Sequence, residues 1–450
     1  MDQAAMALAL GISVSYLSQL ENDDRPLTAK VKAALANAFP VDWASFDKQE
    51  EEHLLGAFTY ALAHPELTGP PMEPERIEKL HLQFPEFAAR YVDLYNAHLR
   101  ANERINMIEE AIATDSAVQA RLPWEAARDW FHEAGNYVHA IDCLAEDMAA
   151  KLTAGQPLDE GMLVEALARR HGIETLIADT PDTALRAFYP TEKRLFVNAA
   201  LPTESRKFML AHQLMMLEGA AEIADITGRA ALPVPGADRL LAIGLGNYAA
   251  GALLLPYAQF REAARTLRHD IDRLARNFGV SFEQACHRLS TLQRPGLRGI
   301  PFFFCRVDMA GNITKRHSAT RLQFARFGGA CPLWNVHEAV AIPDRINVQL
   351  GETPDGVRYV SMAKGLVKPS GSYARTPRRY AVVLGCEIAH AANFVYADGL
   401  RLEDEGAATP IGITCRLCSR QSCDQRAFPP ADRQIHVDPD HRNIVPYWIS

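Results

Sequence analysis

The sequence predicts a multidomain α+β protein, on three observations. Its 450 residues exceed what one ordinary hydrophobic core can organise. Helical periodicity fills the first third of the chain. After Gly161 short strand-like runs alternate with helices, and from about residue 297 strand-like runs dominate. Four segments follow: 1–40, 41–152, 153–293 and 294–450. A hydrophobic content of 48% with 23% charged residues is that of a globular chain. No apolar run reaches the ~18 residues that span a bilayer, because "YAAGALLLPYAQF" is interrupted by Gly251 and Pro256. The N-terminus lacks the basic region of a signal peptide, so the expected location is the cytoplasm, with no membrane partner. A net charge of −8 argues against wholesale electrostatic wrapping of nucleic acid but leaves room for a small DNA-binding module.

The first segment, "QAAMALALGISVSYLSQLENDDRPLT", has the pattern of a helix-turn-helix. Two helices that cross steeply need a small residue at the contact and a permissive one in the turn; Ala7 and Gly11 supply these. Leu17 and Leu20 close the core, and Ser13 caps the second helix. Gln3 opens the first helix. Ser13, Val14, Ser15, Tyr16 and Gln19 are the candidate DNA-contacting residues, with Ser15, Tyr16 and Gln19 in the major groove and Val14 against a thymine methyl.

The string "GIS-S-YLS-LEN" resembles the lambda-repressor-like (XRE/Cro) DNA-binding family. That family places another helix before the one opening at Gln3, so the module is expected to be partial here, with a start codon further upstream. Basic residues are sparse: Arg25, Lys30 and Lys32 stand against Asp2, Glu21, Asp23 and Asp24.

The second segment is helical and broken at "HPELTGPPMEPE". Phe87, Tyr91, Leu94, Tyr95 and Leu99 fall on one stripe, which reads as a core-facing helix or, alternatively, as a dimer-forming one. In the third, strands at "IETLIAD", "ALRAFYP" and "KRLFVNAAL" precede a helix containing "AHQLMMLE", and a pair of helices is expected over about 238–290. His212 stands where H-E-x-x-H has its first zinc ligand, but Gln213 replaces the general base and Met216 the second histidine. Glu218 and Glu222 remain available. The run ending in "NYAAGALLLPYAQFREAA" resembles the ImmA/IrrE-type metallopeptidase fold, whose acidic third ligand would fall near Leu245, Gly246 and Asn247. The expectation is a zincin-type scaffold without metal ligands and without catalytic residues, His212 being hydrogen-bonded to backbone.

In the fourth segment strands are expected at "GIPFFFCRVD", "ATRLQFARFG", "AVAIPDRINVQL", "VRYVSMAKGLV" and "RRYAVVLGCEIAHA", with Phe302, Phe303 and Phe304 in the core. "CRLCSRQSCDQRAFPP" carries the sharpest chemical signal. Cys415 and Cys418 can chelate one metal or cluster, Cys423 follows, and Arg416, Arg420 and Arg426 favour thiolate charge. Three readings compete. One is a [4Fe–4S] cluster, with Cys386, His390 or a non-protein group in the fourth position. The second is zinc completed by His436 or His441, and the third is free thiols. The other cysteines, Cys143, Cys286, Cys305 and Cys331, are scattered.

The stretches "FGVSFEQACHRLSTLQRPGLRGIPFFFCRVDMAGNITKRHSATRLQFARFGGACPLWNVHEA" and "ATPIGITCRLCSRQSCDQRAFPP" are similar to the short-chain fatty-acyl regulators of the XRE superfamily. The resemblance implies a transcription factor that binds operator DNA, senses a short acyl-CoA of propionate, acetate or glyoxylate metabolism, and carries a [4Fe–4S] cluster on Cys415, Cys418 and Cys423. A homodimer or higher oligomer is expected. An acyl-CoA site needs cations for phosphates beside an apolar slot. Lys315, Arg316, Arg321 and Arg326 are candidates, as are Arg375, Arg378 and Arg379 in "RTPRRY".

Overall fold

The computed structural model describes residues 3–21, 31, 34, 54–64, 67, 72–113, 123–153, 156–178, 184–322, 330–370, 373–430, 433–441 and 444–449. The chain folds as two compact units, one of residues 1–101 with 294–298 and one of 102–293 with 299–450. The stretch 41–152, read from sequence as one helical region, is therefore divided. The division falls inside the helix Pro85–Ala113, at residue 101, and the helices from residue 123 onward belong to the second unit.

In the first unit α1 (Gln3–Leu10) and α2 (Val14–Glu21) meet through Gly11, whose φ of +65° lies in the left-handed region that favours glycine. Ala7, Leu10, Leu17 and Val31 are buried between them. Two further helices, α3 (Pro74–Gln83) and α4 (Pro85–Ala113), each begin on a proline, whose missing N–H costs nothing in a first turn. The helical run 54–62 packs on them through Phe58, which meets Tyr91 edge-on at 5.7 Å and is buried with Ile77 and Ala88. The predicted stripe splits: Tyr91, Tyr95 and Leu99 are half-buried, whereas Phe87 and Leu94 are exposed.

The second unit opens with α5 (Pro123–Glu133), α6 (His139–Thr153) and α7 (Glu160–His171). Asp159 accepts from the Met162 N–H, and left-handed Gly172 closes the other end of α7. A small sheet of order β1-β3-β2 follows, made of β1 (Glu174–Ala178), β2 (Arg186–Tyr189) and β3 (Arg194–Asn198). Then come α8 (Thr203–Glu218) and α9 (Ala220–Ala230), separated at Gly219. Four helices, not the expected two, fill the next stretch: α10 (Ala237–Leu254), α11 (Tyr257–Thr266), α12 (Ile271–Phe278) and α13 (Phe282–Ser290). Proline, aspartate and serine caps restart the chain at Pro256, Asp270 and Ser281. Among the described residues no single helix is long and apolar enough to cross a membrane, though α10 and α11 pass that test as a pair bent by 61°. α10 is the central core helix, with Leu241, Leu245, Ala249 and Leu253 fully buried.

A six-stranded sheet of order β5-β4-β8-β7-β6-β9 dominates the C-terminal part. Its strands are β4 (Phe303–Asp308), β5 (Ile313–Ser318), β6 (Ile346–Glu352), β7 (Arg358–Lys368), β8 (Arg378–Glu387) and the short β9 (Thr409–Pro410). Phe302, Phe303 and Phe304 are buried, as the sequence suggests. Two expected strands differ. The second strand is "ITKRHS", set by the turn at Gly311, while most of "ATRLQFARFG" lies outside the described residues. In "AVAIPDRINVQL" only the second half pairs; the first half ends α14 (Val336–Ala341), because Pro343 breaks the run.

α14 covers one face of this sheet, packing Val336, Ala339 and Val340 against Cys305, Val307, Ala363, Ala381 and Val383. The approach depends on Gly365, where an added Cβ would lie 2.0 Å from the Ala339 carbonyl oxygen. Backbone cannot yield as a side-chain tip can. Gly365→Ala is expected to cost about 3 kcal/mol in urea denaturation; a loss below about 1 kcal/mol would show that α14 shifts freely.

Candidate functional site

Three places carry chemistry. In the helix-turn-helix, Ser13 Oγ accepts the Tyr16 N–H at 3.1 Å, which confirms the cap. Gln3, Ser13, Val14 and Ser15 are exposed and Gln19 is partly so. Tyr16 differs from expectation: it is half-buried and packs against the Ala7–Leu17 core, so part of its ring is spent on stability. Val14, Ser15 and Gln19 are left as the open face of α2.

The second place is the peptidase-like helix α8. His212 is buried, its Nδ1 without a hydrogen-bond partner among the described residues, and the Ile243 backbone carbonyl lies near enough to oppose the fall in its pKa. Burial first, then the nearby Arg186 guanidinium, depresses its pKa to about 4, so it is neutral at physiological pH. Gln213 Oε1 accepts a hydrogen bond from Arg186 Nη1. Met216 Sδ and His212 Nε2 crowd Gly246, where an added Cβ would lie 2.4 Å and 3.0 Å from them. Glu218 is turned elsewhere, bonded to Arg170 at 2.9 Å and to His171 at 2.9 Å. A cationic side chain thus stands beside the one surviving histidine, in a space closed by Met216.

The third place is a small open pocket that brings four cysteines together: Cys331, Cys415, Cys418 and Cys423. Cys415–Leu417 forms one short 3-10 turn, which directs Cys415 and Cys418 to the same side. Cys331 arrives from the segment before α14, and its sulfur accepts the Gly412 N–H at 3.3 Å. Burial raises the Cys331 thiol pKa, and Cys415 and Cys418 add to the rise while two backbone contacts oppose it. Arg420 is pinned by the Glu352 and Ile411 carbonyls, and Arg426 by the Arg420 carbonyl. Arg426 Nη1 is buried without a hydrogen-bond partner at this cavity. Arg416 instead lies over Phe428.

The fourth-position candidates Cys386 and His390 are not at this cavity. Cys386 is buried on β8, and burial pushes its thiol up to about 12. Alternation explains the miss: Ala381 and Val383 join the core around Cys331, so Cys386, an odd number of residues further on, faces the opposite side. The zinc candidates are elsewhere too: His436 stacks on Trp448, and His441 bonds Asp438. Among the described residues no three ligand-type side chains converge closely enough to hold a single ion. A tetrahedral zinc with sulfurs about 2.3 Å away would need that convergence; a polynuclear cluster, bound one cysteine per iron, does not.

The proposed phosphate-binding residues scatter. Arg316 lies on the opposite face of β5 from Lys315, and Arg321 pairs with Glu387 at 3.7 Å. Arg379 donates to the Val340 and Ala341 carbonyls at the end of α14, a helix-terminating contact. Arg326 lies outside the described residues. Lys315 joins a cluster of charge, and Arg378 stands at its edge, opposite Lys368 in the strand register, while Arg375 is exposed.

Comparison with known proteins agrees with this arrangement. Residues 1–46 match the helix-turn-helix family, 168–290 the IrrE N-terminal-like domain, and 291–447 the C-terminal domain of short-chain fatty acyl coenzyme A regulators. The chain is 46% identical to a propionyl-CoA carboxylase regulator of Cereibacter sphaeroides, over 99% of this chain and 95% of the relative. It is 40% identical to the HTH-type transcriptional regulator PrpR of Mycobacterium tuberculosis, over 99% and 92%. A solved Mycobacterium tuberculosis transcriptional regulator superposes with a TM-score of 0.69 at 44% identity, covering 73% of this chain and 99% of that one.

Proposed function

The chain belongs to the short-chain fatty acyl coenzyme A regulators, a family of helix-turn-helix transcription factors, and from that premise we propose how its parts divide the work. Ser15, Gln19 and Val14 of α2 read operator bases in the major groove. The protein works in the cytoplasm as a homodimer, with exposed Phe87 and Leu94 of α4 as the self-association surface. The IrrE-like part is a scaffold in which Arg186, Gln213 and Met216 stand where a peptidase keeps its metal and base. The two relatives named above carry the names of regulators.

Cys331, Cys415, Cys418 and Cys423 hold a [4Fe–4S] cluster. The observation that carries this reading is the four-cysteine cavity with an unpartnered guanidinium nitrogen at its wall. Such a cluster, with its four thiolates, is an anion; Arg420 and Arg426 are fixed where they offset that charge, and Arg426 Nη1 offers it a hydrogen bond. When bound, the group supplies a charge that changes with redox state. The protein's own contribution is to link Cys331, through the Gly412 N–H, to the loop beside β9, and through its core neighbours to α14.

A gel shift on the protein's own promoter, with and without propionyl-CoA, tests the division. Two copies per shifted complex and an acyl-CoA-dependent change are expected. Gln19→Ala is expected to cost about 1–3 kcal/mol on operator DNA and little on random DNA. Equal affinity for operator and random DNA at every salt concentration would sink the reading.

A further inference from the structure

The sheet face opposite α14 concentrates positive charge around one carboxylate. Arg306 of β4 donates to Glu283 Oε1 at 3.0 Å, Lys368 Nζ of β7 lies 3.0 Å from Oε2, and Tyr380 Oη donates to Oε2 at 2.8 Å. Lys315 of β5 stands beside Arg306 in the strand register, with its ammonium 5.9 Å from the Phe304 ring centroid. Among the described residues that ammonium has neither a hydrogen bond nor an ion pair. Two residues along β5, His317 Nε2 meets His287 Nε2 at 3.0 Å, while Arg128 and His132 of α5 act on His317. One carboxylate therefore answers three cations, with Arg128 and, opposite Lys368 in the strand register, Arg378 adding to the same field.

The titrating groups report the same surplus. Glu283, which burial alone would push up, is held at about 2 by Lys368, Lys315 and Arg306. Burial first, with Arg306 and Lys368 outweighed in part by Glu283, brings Lys315 down to about 8. His317 falls to about 3 through burial and then Lys315. A half-buried ammonium that shares one carboxylate with two other cations is costly to keep charged, so a bound anion would repay it. The cluster also opens outward, since the Arg306 and Lys368 side chains are 31% and 36% exposed.

We propose that Arg306, Lys315 and Lys368 form the diphosphate subsite for a CoA thioester, and that Glu283 is a built-in anion which the diphosphate displaces. The proposal rests on the acyl-CoA-responsive reading above and adds the place of contact and the way the signal leaves it. Glu283 lies near the start of α13, and the same nine-residue helix carries Arg288, which grips Asp142 of α6 through two 2.8 Å bonds. A diphosphate that takes Arg306 and Lys368 releases one end of α13 while Arg288 keeps hold of the helical body at the other.

Calorimetric titration of the full chain with propionyl-CoA and, separately, inorganic pyrophosphate tests this, with thermal melts confirming that each variant is folded. Lys315→Gln is expected to weaken both probes about tenfold, since one charge-assisted contact is lost. Glu283→Gln is expected to tighten both several-fold by removing the competitor. Should Glu283→Gln unfold the chain, Lys315→Gln decides alone, because among the described residues Lys315 makes no hydrogen bond or ion pair whose loss would unfold the chain. Propionyl-CoA binding that is unchanged in every folded variant overturns the subsite and leaves the effector reading standing. Lys315-dependent pyrophosphate binding without propionyl-CoA binding keeps the anion site and removes the effector reading. Binding of neither probe to the wild type overturns both.

Discussion

Replacing Asp142 by Ala is expected to lower the unfolding free energy by roughly 3–5 kcal/mol, among the largest effects any single change here should produce. Asp142 and Arg288 are both essentially removed from solvent, at 0% and 2% side-chain exposure. The guanidinium donates twice to the carboxylate at 2.8 Å, and its Nε donates to the Leu255 carbonyl at 3.0 Å. Tyr248 Oη donates to Asp142 and accepts the Val138 N–H, and the rings of Tyr248 and Tyr257 flank Arg288. Every charge is answered, which is the condition under which a buried pair persists. Removing the carboxylate strands the guanidinium, whereas replacing both partners by apolar residues avoids that penalty. Urea melts followed by tryptophan fluorescence should therefore show Asp142→Leu with Arg288→Met less damaged than Asp142→Ala alone. A single-variant loss below about 1 kcal/mol would mean that water reaches Arg288.

The second large effect falls on Cys331. With the protein purified anaerobically, Cys331→Ser is expected to abolish most of the brown visible absorbance and the associated iron and sulfide, as Cys418→Ser should. Cys386→Ser is expected to keep all three, because its sulfur lies on the other side of the sheet. The reverse pattern, or a colourless wild type holding one equivalent of zinc, would refute the assignment of the fourth ligand.

The contrast between these cysteines shows what sequence could and could not convey. That Cys415, Cys418 and Cys423 gather at one cavity was legible because their spacing is local, and so was the helix-turn-helix, where Ala7, Gly11, Ser13 and Leu17 all do as their spacing suggests. Cys331 was hidden because it reaches the cavity only when residues 331 and 412 meet beside β9. Its one local mark is the following Pro332, a Cys-Pro pair of the kind found in bacterial ferredoxin motifs. The charged cluster was hidden for a related reason. Arg306, Lys315 and Lys368 come from three strands, and strand parity separates Lys315 from Arg316, which no reading of basic residues as a group could do. Tyr16 shows the opposite limit: helical position placed it on the reading face, but its size let it also cover the core.

Helix α13 has a practical meaning for anyone dissecting the molecule. Family boundaries fall at residues 290 and 291, directly after this helix, and invite a cut there. A fragment beginning at 291 would carry Arg306, Lys315 and Lys368 without Glu283, and His317 without His287. The piece left behind would keep Arg288 paired with Asp142 but present Glu283 to nothing. A cut before Ser281 fares no better, because it keeps Glu283 with the sheet but strands Arg288 from Asp142; α13 ties the two parts together and neither can be taken without it.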